Sequence, residues 1–225
     1  MLYYILFTNM YTTFESRVIA FFTFCLATVF ALTIHEFAHS FTAHKLGDPT
    51  PKSFGRLTLN PLAHFDYIGL FCFLMFGFGW AKPVPINPFN FKKIKRDIFL
   101  VSISGILVNL ICAFIFYPLF ILCCMSVWGS GFVFTLQQVL INLFNFAFQA
   151  NLVFMVFNLL PIHPLDGYNA ISAFHPYENK FSTFMQKYGS LVLLFVIILF
   201  NRTNIFEYLV NYVGYPIMAF WGLFF

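Results

Sequence analysis

Three ionisable residues fall within five positions of this chain, in the run His35-Glu36-Phe37-Ala38-His39. On a helix, positions i and i+4 share a face, so both imidazoles can hold one metal ion. Glu36 then stands beside them, placed to take a proton from a water on that ion, whose pKa a zinc lowers to about 7. A catalytic zinc needs a third protein ligand and keeps one position open. Among the eight acidic residues, Asp166 is the best candidate. It lies in Asn158-Leu-Leu-Pro161-Ile-His163-Pro164-Leu-Asp166-Gly167, where two prolines break a helix and a glycine permits a turn. Glu15 sits at the wrong end of the first helix, Asp48 and Asp97 border charged loops, and Glu178 and Glu207 have no accompanying pattern.

The elements that must position these groups lie in a membrane. The 225 residues are 60% hydrophobic, 22% aromatic and 9% charged, whereas a soluble domain is roughly a quarter charged. So few charges exclude an ordinary soluble domain and intrinsic disorder alike. A net charge of +4, dispersed along the chain, argues against nucleic acid as a partner. The five cysteines lie in apolar runs without CxxC spacing and read as small buried hydrophobes. The N-terminus makes a poor cleavable signal, because the apolar run from Val18 continues past Ala31 without a small-x-small exit.

A span needs about 20 apolar residues, and the hydrophobic runs predict an all-α polytopic membrane protein with about five to six transmembrane segments. The candidates are 15–44, 98–128, 132–160, 189–200 and 208–225, plus a short run over 67–80 that reads as a re-entrant or tilted segment. The turn at Gly129, Ser130 and Gly131 makes two long helices antiparallel neighbours. With no internal repeat, residues 1–225 read as a single membrane-embedded domain.

Lys and Arg in the loops set the orientation. With Lys92, Lys93, Lys95 and Arg96 in the cytoplasm, all the basic residues except Arg17 and Arg202 fall on that side. The helix carrying His35 and the helix preceding Asp166 then both run toward the cytoplasm. The three candidate ligands therefore meet at one depth near that face.

The linked pair His35-Glu36-x-x-His39 and Asn158-x-x-Pro161-x-x-x-x-Asp166-Gly167 resembles the site-2 protease family of intramembrane zinc metalloproteases. Further likeness points to its compact bacterial branch without a PDZ domain. It lies in Arg56-Leu-Thr-Leu-Asn60-Pro61-Leu-Ala-His64-Phe-Asp66, in Gly79 to Pro88, and in Ser104-Gly105 through Asn109. The resemblance covers roughly residues 20–200. It implies one Zn2+ per chain held by His35, His39 and Asp166, Glu36 as catalytic base, and Asn158 near the active site as a holder of substrate backbone. It also implies membrane protein substrates cleaved in or near their transmembrane segments, in a bacterial inner membrane.

Two departures stand out. Ile106 and His163 occupy positions where that branch usually has Pro. His163 reads as a partner of Asp166, a rival ligand or a solvated loop residue. His64, with Asp66, reads either as a loop group capping the next segment or as a group near the metal that contacts substrate or supports a ligand, and Asn109 as a residue that contacts substrate or supports a ligand. A catalytically silent zinc-binding membrane adaptor of the same fold is the alternative function. A membrane di-iron oxidase needs more histidines than the six present, and a transporter needs repeats that are absent.

Overall fold

The computed structural model describes residues 13–76, 79–126, 130–174 and 180–225. Gly129 of the expected turn, His175 and Glu178 lie outside these residues. The described chain forms helices α1 (Phe14–Lys45), α2 (Thr50–Ser53), α3 (Tyr67–Phe76), α4 (Ile94–Met125), α5 (Phe132–Asn158), α6 (Asp166–Ser172), α7 (Lys180–Arg202) and α8 (Ile205–Trp221). It is an all-α fold, and no strand occurs among the described residues.

Among the described residues four helices are long and apolar enough to cross a membrane: α1, α4, α5 and Lys180–Phe200 of α7. The all-α polytopic membrane class is as expected, with these four helices as candidate spans. α3 has 10 residues and rises about 15 Å, half of a bilayer core. α8 has 17 residues and carries Pro216. The anticipated re-entrant region is an excursion that leaves and returns at one place, because Phe65 and Ala81 form an antiparallel bridge on either side of α3. α7 starts at Lys180, earlier than the expected 189, so Lys187 lies within the helix.

The local reasons for these elements are legible. Thr13 and Ser16 form a reciprocal capping box at the start of α1. Within α1 the hydroxyls of Thr23, Thr28 and Thr33 donate to carbonyls four residues back, so they need no partner from the apolar surroundings. Asp66 accepts from the amides of Ile68 and Gly69 and caps α3.

α1, α4 and α5 pack on one another and form the core. Ala20, Phe24 and Ala27 of α1 meet Phe146 and Ala147 of α5, and Phe30 stacks edge-on against Phe116 of α4 at 5.5 Å. At the other end His39 meets Val101. α1 and α5 therefore run parallel, with α4 antiparallel between them. α6 packs on α4 and α8 on α4 and α5, whereas only 6% of the apolar window of α7 is buried. The long connection from α1 to α4 is tied back on itself by Asp48. This fully buried carboxylate accepts from the Thr50 amide and hydroxyl, the Asn87 amide and the Asn90 side chain.

Candidate metal centre

His35 and His39, four residues apart on α1, bring their Nε2 atoms to 3.0 Å of each other. Asp166 Oδ2, at the first residue of α6, lies 3.0 Å from His35 Nε2 and 3.1 Å from His39 Nε2. The two histidine side chains are 5% and 8% exposed. Donors around a tetrahedral ion with bonds of about 2.0–2.1 Å stand about 3.3 Å apart, so this triangle fits one ion with slight compression.

The rest of each ring fixes which nitrogen faces that point. His39 Nδ1 donates to the Val101 carbonyl at 2.8 Å, and His35 Nδ1 donates to Asn109 Oδ1 at 2.6 Å. In the neutral rings, with Nδ1 protonated by these bonds, both Nε2 atoms are bare lone pairs facing a carboxylate oxygen. Three acceptors at this spacing repel unless a cation lies among them, and neutral imidazoles are the form that ligates metal. The donor set therefore suits a divalent ion.

The opposing helix is cut away to admit this arrangement. A Cβ built on Gly105 of α4 would lie 2.5 Å from His39 Nε2 and 2.6 Å from His35 Cε1. Gly167 serves Asp166 differently from the turn expected of it. It lies in α6, and its Cβ would come within 2.4 Å of the Leu159 carbonyl oxygen. It thus lets α6 close directly onto the end of α5.

The remaining candidates are placed as follows. Glu36 is half-buried on α1, next to His35 in the chain. Asn109 is fully buried and supports His35. Asn158 is half-buried at the end of α5 and donates to the Phe154 carbonyl of its own helix. His64 is fully buried, and its Nε2 donates to the Thr58 carbonyl at 2.8 Å, within its own loop. His163 precedes a cis proline and packs edge-on against Tyr168 at 5.4 Å. It lines a cavity of about 360 Å³ together with Ile86, Ile98, Tyr168 and Gln186. None of Asn158, His64 and His163 belongs to the cluster of ligand atoms. Two supports of the site went unforeseen: the Val101 carbonyl, which has no sequence signal, and Asn151, a buried polar residue in an apolar span.

No family model matches the chain, and no solved structure matches it. Over 170 residues it is 42% identical to "Putative zinc metalloprotease YwhC" of Bacillus subtilis, covering 75% of this chain and 77% of that protein. It is 26% identical over 215 residues to "Putative zinc metalloprotease Rip2" of Mycolicibacterium smegmatis, covering 87% of this chain and 79% of the relative.

Proposed function

The chain belongs to the compact, site-2 protease-like family of zinc metalloproteases that includes its Bacillus subtilis relative, and from that premise we propose that it is an intramembrane zinc endopeptidase. Its substrates are membrane proteins cut in or near a transmembrane segment. The observation that carries this reading is the convergence of His35 Nε2, His39 Nε2 and Asp166 Oδ2 within 3.1 Å, between helices apolar enough to cross a membrane.

The residues divide the work. His35, His39 and Asp166 hold the ion, which when bound supplies Lewis acidity to a water and a scissile carbonyl. Glu36 takes the proton from the attacking water and returns it to the leaving amine. A substrate helix must first unwind, since its carbonyls are held in i to i+4 bonds. Leu57–Asn60 and Lys82–Ile86 are both non-helical, and either offers backbone to an extended substrate. Asn158, at the mouth of the α5–α6 turn, is a further candidate for holding substrate backbone.

The metal end of the bundle also carries Lys45, Lys52, Arg56, Lys82 and the exposed Lys92, Lys93, Lys95 and Arg96. By the positive-inside rule that end is cytoplasmic, and the bacterial origin of its relatives supports a bacterial inner membrane. The test is Glu36→Gln in lipid nanodiscs with a membrane substrate carrying helix-breaking residues. The variant should retain one zinc per chain and lose cleavage by a factor of about 10² or more. Turnover at the wild-type rate would reject Glu36 as the base, and zinc-loaded wild type without cleavage would favour the adaptor.

A further inference from the structure

Behind His35 lies a polar chain in otherwise apolar surroundings. Asn109 of α4 and Asn151 of α5 are both fully buried. Asn109 Nδ2 donates to the Ala31 carbonyl of α1 at 3.1 Å and to Asn151 Oδ1 at 2.7 Å. Asn151 Nδ2 donates to the Ala147 carbonyl at 2.7 Å. Asn109 Oδ1 accepts from His35 Nδ1 at 2.6 Å.

Backbone carbonyls only accept, so Ala147 and Ala31 dictate the sense of every bond in the chain. The Ala147 carbonyl turns the Asn151 amide nitrogen toward itself, which presents Asn151 Oδ1 to Asn109. Both N–H groups of Asn109 are then consumed, and its oxygen is left for His35. A reversed Asn109 would offer N–H to His35 Nδ1. His35 would then carry its proton on Nε2 and lose the lone pair that faces His39 and Asp166. We infer that Asn151 is a positioning residue for the metal centre, which acts through Asn109 to hold His35 in the tautomer and orientation that binds the ion. It is not one of the ligand groups; it ties α5 to Asn109 of α4, which in turn bonds the Ala31 carbonyl of α1.

This inference rests on the metal-centre reading above, and the experiment separates the two. Zinc affinity is measured by competition with a chromophoric chelator for wild type, Asn109→Ala, Asn151→Ala and the double variant, with helix content and thermal unfolding of each zinc-free protein alongside. Asn151→Ala should bind zinc about 10–100-fold more weakly, the range for outer partners of a metal-ligating histidine. The double variant should be no weaker than Asn109→Ala by more than about threefold, because Asn151 acts only through Asn109. Asn151→Ser is the second variant, for use if alanine prevents folding. Its hydroxyl can bond back to the Ala147 carbonyl, and it should show the same loss of zinc affinity. Wild-type zinc affinity in a folded Asn151 variant, or losses that multiply in the double variant, would overturn the inference and leave the metal centre standing. A wild-type protein that binds no zinc would overturn the metal centre itself.

Discussion

Gly105→Ala tests the geometry of the centre most directly. The added methyl would stand 2.5 Å from His39 Nε2, 2.6 Å from His35 Cε1 and 2.7 Å from His39 Cε1. Comfortable contact begins near 3.5 Å, so the rings or α4 must retreat by about 1 Å. Metal–ligand distances tolerate only about 0.2 Å. The rings cannot retreat freely, because Val101 and Asn109 hold their far nitrogens. Zinc affinity should therefore fall by at least about 100-fold, beyond the range for losing a supporting hydrogen bond. Global stability should respond far less. Overpacking costs about 1–3 kcal/mol, and replacing a mid-helix glycine by alanine returns up to about 1 kcal/mol. The assay pairs zinc competition with chemical unfolding of the zinc-free protein in the same detergent. Zinc affinity within threefold of wild type, with cleavage unchanged, would refute the placement of the Nε2 atoms against α4.

Other outcomes follow from the same geometry. Gly167→Ala drives a methyl into the carbonyls of Leu159 and Leu160, which cannot swing aside as a side chain can. It should displace Asp166 and lower zinc content measured by mass spectrometry, with a loss of about 1–3 kcal/mol in unfolding free energy. Asp166→Asn removes the charge while keeping the shape, so zinc should dissociate at chelator concentrations that wild type withstands, and added zinc should restore wild-type cleavage after chelation. Asp48 has a folded pKa below its ordinary value: burial raises it, but the bonds from Thr50, Asn87 and Asn90 outweigh that. Its contribution is present above the unfolded value of about 3.9 and is lost as pH falls through the lower folded value. Asp48→Asn should therefore cost about 1–3 kcal/mol at neutral pH and flatten the acid limb of a stability–pH curve. An unchanged acid limb would remove Asp48 as the tie of the α1–α4 connection.

The spacing of His35 and His39 is a local property of one helix, so a shared face could be read from residue order alone. So could the polytopic all-α class, since apolar runs of this length have no other stable state in lipid. The parallel course of α1 and α5 followed from counting crossings and weighing Lys and Arg in the loops. That count brought Asp166 to the same end as His35 and His39, where the structure has it. The run over 67–80 is too short for a span from its length alone, and α3 has 10 residues.

What lay beyond the sequence depends on close approach between distant segments. The clearance at Gly105 arises only where α4 crosses α1, and the contact of Gly167 with Leu159 only once α6 folds back on α5. The acceptor for His39 is a backbone carbonyl 62 residues away, which any residue type could supply. Asn151 reaches His35 only through Asn109, on a third helix. The chain thus names the atoms that can grip an ion. Tertiary packing alone decides which ring nitrogens face it, because the carbonyls that orient those rings become neighbours only when the helices cross.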